Sequence, residues 1–264
     1  MSPIDGLALL ALGAVAGTLA GLLGIGGGIV IVPGLAWLLA DGPVPPERLM
    51  QFAVGTSLAT IVVTALASIR AHHQRGAVAW RTVARLTPGL VLGCALGAGL
   101  ADRLASATLA TVFGLFLLGV AARLALPGLP SARRPLPGWL GGTAYGGGIG
   151  SLSALLGIGG GTLTVPLLTW HGTDLRRAVA TAAACGLPIA LAGAGGYMLA
   201  GLGHTPWPAA ATGYVYWPAF AAVAPAAVLC APLGARLAHS LPRTVLRRGF
   251  AAFVAIVGLR MLLG

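Results

Sequence analysis

Two clusters of glycine could bind an anion through bare backbone. Residues 21–33 read "GLLGIGGGIVIVP" and residues 154–166 read "ALLGIGGGTLTVP". The candidates are Gly24, Gly26, Gly27 and Gly28 in the first and Gly157, Gly159, Gly160 and Gly161 in the second. Each interior glycine weakens a helix by roughly 1 kcal/mol against alanine, so "GIGGG" predicts a break. Ile29, Val30, Ile31 and Val32 favour extended backbone. Pro33, and Pro166 in the second copy, suits the first turn of a new helix. A helix starting there presents free N–H groups and a positive dipole end, and glycine lets an oxyanion approach closely. The competing reading is close helix packing through small residues.

Three hydroxyls are further candidate ligands: Thr56 and Ser57, and Thr181, which matches Thr56 in the repeat described below. Mid-helix hydroxyls also bond their own backbone. Cys94 and Cys230 fall one position apart across the same repeat, so they are expected to face each other near its axis, close to a bound substrate. As small apolar side chains they serve packing equally well. No Cys/His spacing suggests a metal site, and no cofactor motif is found. The acidic residues avoid the middles of apolar segments, which argues against buried carboxylates binding a cation and suits a negative substrate.

The elements that would position these residues are membrane segments. Of 264 residues, 57% are hydrophobic and only 8% charged, where a soluble domain carries about 25% charged residues. Mean hydropathy is +0.93. The 16 basic residues are all arginine, giving a net charge of +11. They lie between apolar stretches, as cytoplasmic anchors do, and do not suggest a nucleic-acid partner. The start "MSPIDG" has no basic region typical of a cleaved signal. Apolar stretches run at about 4–25, 29–40, 49–69, 86–101, 106–126, 139–157, 162–170, 178–201, 213–235 and 249–263. A full span needs about 20 residues, so 29–40 and 162–170 are too short, and each follows a glycine cluster.

The chain is internally repeated. At an offset of 133, residues 18–37 match 151–170 at 12 of 20 positions, with Pro33 on Pro166 and Trp37 on Trp170. At 125, Ala53, Val54 and Thr56 fall on Ala178, Val179 and Thr181; at 137, Trp80, Pro88, Gly97 and Arg123 fall on Trp217, Pro225, Gly234 and Arg260. The expected organisation is 1–126, a Pro/Arg linker at 127–137, and 138–264.

Arginine indicates how the halves relate. Arg70, Arg75, Arg81 and Arg85 follow the third segment, whereas its counterpart, 201–213, has no arginine. The loop before the last segment has only Asp102 and Arg103 in the first half, but Arg236, Arg243, Arg247 and Arg248 in the second. The bias flips, so the halves are expected to sit upside down relative to each other. Arg133 and Arg134 then make the linker cytoplasmic, with both termini outside. The expected fold is an all-α integral membrane protein of two inverted-topology repeats. Each has several transmembrane helices and one Gly-broken or re-entrant helix, for about 8–10 membrane segments. Inverted repeats with broken helices and a midplane site are a secondary-transporter plan.

The doubled "LLGIGGGxxxVP" motif, with "AVGTSLA" at 53–59, resembles the TauE/SafE family of sulfite exporter-like membrane permeases. The resemblance covers about 4–263. It implies transport of a small sulfur-containing anion such as sulfite, thiosulfate or sulfoacetate, with a lipid bilayer as the other partner. The motif positions carried over are Gly24, Gly26, Gly27, Gly28 and Pro33, then Gly157, Gly159, Gly160, Gly161 and Pro166. Where the first half has Thr56 and Ser57, the second has Thr181 and Ala182, so paired hydroxyls occur in one half alone. The expected function is a plasma-membrane permease working by alternating access between the two glycine breaks. A small-anion channel of the same architecture is the alternative. An intramembrane enzyme would need a metal or carboxylate constellation that the sequence does not display.

Overall fold

The computed structural model describes residues 3–23, 26–126, 137–204, 208–240 and 243–263. Ten α-helices occur among them, one for each apolar stretch. They are α1 (Pro3–Leu23), α2 (Gly28–Leu38), α3 (Leu49–Gln74), α4 (Trp80–Arg103), α5 (Ser106–Ala125), α6 (Trp139–Leu156), α7 (Gly161–Trp170), α8 (Leu175–Gly201), α9 (Trp217–Ser240) and α10 (Arg243–Leu263). Six, namely α1, α3, α4, α5, α8 and α9, are long and apolar enough to cross a membrane. In hydrocarbon each backbone N–H and C=O must be satisfied within the protein, which is why so apolar a chain is helical. The protein is an all-α membrane protein. The linker 127–137 falls, apart from Pro137, outside the described residues.

Four local expectations are corrected. Ile29, Val30, Ile31 and Val32 are helical, not extended, because α2 begins at Gly28. Pro33 and Pro166 are each the sixth residue of their short helix rather than in its first turn. Where no water can take up free backbone groups, the need to close them internally overrides β-branched preference. Arg81 and Arg85 lie in the first turns of α4 and not in a loop. Residues 201–213 are not all loop: β1 (Ala211–Thr212) pairs antiparallel with β2 (Val215–Tyr216).

Helix pairing follows the glycines. On α4, Gly89, Gly93 and Gly97 meet the backbone of α6, and Gly142, Gly146 and Gly150 of α6 meet α4. Four-residue spacing puts each trio on one helix face, where small residues let backbones touch. Gly13 and Gly17 of α1 meet Val223 and Ala227 of α9 in the same way. The two seams are related by the sequence repeat: Gly97 abuts Ser151, and their counterparts Gly234 and Thr18 abut each other. Between these seams α3 and α8 cross as an antiparallel pair, with Gly55 beside Tyr197, Leu58 beside Gly193 and Ala65 beside Gly186. Helices α5 and α10 are also antiparallel, with Gly114 on Leu262 and Gly258 on Leu117. Trp80 and Trp217 start α4 and α9, and Trp37 and Trp170 lie at the ends of α2 and α7. All four are well exposed, as bilayer-interface anchors should be.

Candidate functional site

The two glycine clusters touch. Gly157 ends α6 in the left-handed conformation (φ 63°), returning its N–H to Ser153. The next amide, of Ile158, also donates to the Ser153 carbonyl, at 3.1 Å. This positive-φ cap is a conformation glycine adopts without steric penalty. Gly26 is likewise left-handed, at φ 80°. Gly28 packs so tightly on Gly157 that a Cβ there would collide with the Gly157 carbonyl. The carbonyl is held from the other half, since Ser57 Oγ donates to it at 2.9 Å.

Both short helices start without a side-chain cap. Gly27 C=O accepts from Val30 and Ile31, and Gly160 C=O accepts from Thr164. The first N–H groups of an α-helix have no intrahelical partner, so the starts of α2 and α7 bring uncapped donors and two positive dipole ends to one place.

That place is the floor of a cavity of about 740 Å³. Gly26 and Gly27 line it from the first cluster and Gly159, Gly160 and Gly161 from the second. Its walls are small residues of α1, α3, α8 and α9, among them Ala20, Ala65 and Ala182, with Thr64 and Ser68 adding hydroxyls. Its far end reaches His72 and Arg75, at the end of α3. Two helix starts at the floor and an arginine at the mouth favour an anion.

The remaining candidates are not on the cavity wall. Gly28 and Gly157 lie immediately behind the floor, clamped on each other. Pro33 is buried in α2, and Pro166 is exposed on α7. Gly24 lies outside the described residues. Thr56 Oγ1 accepts from the N–H of Tyr216 at 3.0 Å, and Thr181 Oγ1 accepts from the N–H of Ala79 at 3.1 Å. Ala79 and Tyr216 are themselves repeat counterparts at the 137 offset. The matched threonines thus tie down matched connections, α3–α4 in one half and α8–α9 in the other. Cys94 and Cys230 do not face each other, and this corrects the expectation. The Cys94 thiol donates to Gly150 C=O in the α4–α6 seam, while Cys230 is partly buried on α9. Each belongs to a different helix pair, because α4 packs on α6 and α9 packs on α1.

Ser57→Ala isolates the clamp. It leaves a buried carbonyl without its donor, which costs about 1–3 kcal/mol. Thermal unfolding in detergent should show a melting temperature lower by several degrees.

A polar cluster at the opposite end of α3 escaped the sequence reading. Asp102, at the end of α4, accepts on Oδ1 from Tyr214 Oη at 2.5 Å and lies 2.9 Å from His204 Nε2. Arg48 Nη1 donates to the Asp102 backbone carbonyl at 2.5 Å and lies 3.7 Å from Oδ1. Burial, together with the Asp102 hydrogen bond, pushes the Tyr214 phenol well above its usual range, so it stays a proton donor. The sole hint in the sequence was an acid closing a span. Among the described residues no cluster of three or more His, Cys, Asp or Glu could hold a metal ion.

With fold and cavity in view, similarity to known proteins is decisive. The family described as sulfite exporter TauE/SafE matches residues 9–261. The chain belongs to the TauE/SafE family. A Haemophilus influenzae relative named "Probable membrane transporter protein" is 37% identical over 265 residues, covering 97% of this chain and 98% of the relative. A second family relative, from Methanocaldococcus jannaschii and also named a probable membrane transporter protein, is 31% identical over 65% of this chain and 64% of its own. The Bacillus subtilis protein "Probable membrane transporter protein YunE" is 31% identical over 61% of this chain and 66% of its own. No solved structure matches this TauE/SafE chain. Family membership, relatives and apolar helices agree on a multi-pass membrane transporter.

Proposed function

We propose that this TauE/SafE protein is a secondary-type permease for a small sulfur-containing anion, such as sulfite, thiosulfate or a small organosulfonate. The anion binds at the cavity floor, where the starts of α2 and α7 converge. One observation carries the reading: both glycine clusters contribute to the floor of a single cavity of about 740 Å³ whose mouth reaches Arg75. Backbone N–H groups suit the spread charge of a tetrahedral or pyramidal oxyanion, and the glycines leave room for it. Ser57, Thr56 and Thr181 act behind the site, fixing the break and the two connections.

Residues 1–126 and 138–264 are read as two inverted repeats. Support comes from the antiparallel crossings of α3 on α8 and α5 on α10, each helix lying against its own counterpart. The protein is placed in the plasma membrane, with the arginine-rich linker 127–137 cytoplasmic and both termini outside. The cavity then opens on the cytoplasmic side, since it extends to the basic end of α3. A channel of the same architecture is disfavoured by the buried rings of Phe52, Tyr197 and Tyr214, which pack on one another where α3 and α8 cross. The halves rock about the site to give alternating access.

A thermal-shift panel of sulfite, sulfate, thiosulfate, sulfoacetate, taurine and chloride tests the substrate. Stabilisation by at least one sulfur anion, and not by chloride, is expected; no shift with any sulfur compound would overturn the assignment. Arg75 is expected to steer the anion to the mouth. Arg75→Gln should slow uptake in proteoliposomes several-fold at low salt and little at high salt. An uptake rate unchanged at low salt would remove Arg75 from the pathway.

A further inference from the structure

The cavity has a closed twin. Several residues on its wall have repeat counterparts that are packed away from it. Ala20, Ser68, His72 and Ala231 line the cavity and are partly accessible. Their counterparts at the offsets 133, 125, 125 and 137 are Ser153, Gly193, Tyr197 and Cys94, all buried. Positions that border open space around the cavity correspond by the repeat to positions that are filled.

Aromatic rings fill it. Tyr197, the counterpart of His72, is fully buried, and its hydroxyl donates to Ala154 C=O at 3.0 Å. Tyr214, where the other half has Ala77, is also fully buried. Its ring meets Phe52 edge-on at 5.6 Å and Tyr197 at 6.2 Å. The β1–β2 connection holds Tyr214 in place: its N–H donates to Tyr197 C=O at 3.2 Å, and that of Tyr216 to Thr56 Oγ1 at 3.0 Å. The outer end of Tyr214 is fastened to Asp102, as are His204 and Arg48. Of the chain's five acidic residues, Asp102 alone is partly buried, the other four being exposed.

Two buried hydroxyls point to a second, wetter arrangement. Among the described residues, Ser153 Oγ and Thr164 Oγ1 are buried without a hydrogen-bond partner. Their counterparts, Ala20 and Ile31, line the open cavity. Burying a hydroxyl without a partner is costly, and both would gain water if the twin cavity opened.

We infer that Phe52, Tyr197 and Tyr214 form the outer gate of this transporter, latched shut by Asp102, and that release of the latch opens a second vestibule between α3, α4, α6 and α8. The inference rests on the alternating-access reading above. It adds which residues close one side and which contact must break.

Two reporter positions test it: Ala190, buried on α8, and its counterpart Ala65 on the open cavity wall. Each is changed to cysteine in full-length protein carrying Cys94→Ala, Cys185→Ala and Cys230→Ala, and its reaction with a charged methanethiosulfonate is timed. Without a latch change, Ala65→Cys should react fast and Ala190→Cys slowly. Adding Asp102→Asn or Tyr214→Phe keeps the side-chain bulk but weakens the latch. Labelling at Ala190→Cys should then rise at least tenfold while labelling at Ala65→Cys falls. An unchanged rate at Ala190→Cys in both latch variants overturns the gate, as does a rise at both positions together, which is loosening of the fold. Counterflow of radiolabelled thiosulfate by the unmodified protein separates the two failures. If counterflow persists and the reporters do not respond, the gate alone is wrong. If counterflow is absent with thiosulfate and with sulfite, the permease reading falls.

Discussion

Gly28→Val is expected to abolish transport. The Cβ at residue 28 would enter the Gly157 carbonyl, and that carbonyl has nowhere to go. Ser57 holds it from α3, and Gly157 itself is packed so closely that a Cβ there would meet Val32 and the backbone of Val54. Forcing bulk into a packed contact costs about 1–3 kcal/mol, and here the strain falls on the peptides that build the cavity floor. Uptake into proteoliposomes should drop at least about tenfold, since each 1.4 kcal/mol of barrier is a factor of ten. Gly99→Val is the control. It makes the same chemical change on α4, at a position where a Cβ meets nothing within 4 Å. It should transport normally. Equal activity in the two variants would mean that the glycine contact does not hold the site.

Ala65→Trp should also stop transport, by the opposite route. Ala65 lies on the cavity wall, with its methyl group beside Gly186 of α8. An indole there, directed into the cavity, is expected to occupy much of it. The melting temperature should stay within a few degrees of the parent protein, whereas Gly28→Val should lower it. Loss of uptake with stability retained identifies the cavity as the route. Normal uptake through the filled cavity would place the route elsewhere.

Much of this architecture can be read from the residues, for definite reasons. Hydrocarbon allows few backbone solutions, so ten apolar stretches became ten helices, and the two too short to span became α2 and α7. The glycine clusters are helix breaks because glycine is the weakest helix former after proline. Gly28 and Gly157 belong to the two matching clusters of the sequence repeat, and the fold brings them into contact. Local chemistry was harder to read. Ile29 to Val32 favour strands in isolation but are helical here, because an extended segment would leave its amides unpaired. Thr56, Ser57 and Thr181 were placed as ligands by type, yet a hydroxyl serves a ligand or a backbone group equally well. Only the fold reveals that Tyr216, Gly157 and Ala79 are their partners. Tyr197 and Tyr214 gave no signal, and Asp102 gave only that of an acid closing a span, because they meet from three separate elements of the fold.

The central claim is a carrier with one anion site between the glycine breaks. Counterflow tests it most directly. Proteoliposomes containing the purified protein are loaded with unlabelled thiosulfate or sulfite, and entry of the ³⁵S-labelled anion is followed. A carrier returns faster when loaded, so internal substrate should accelerate entry several-fold, and Ala65→Trp should remove both the entry and the acceleration. Entry that ignores internal substrate, or that survives in Ala65→Trp, would contradict the account.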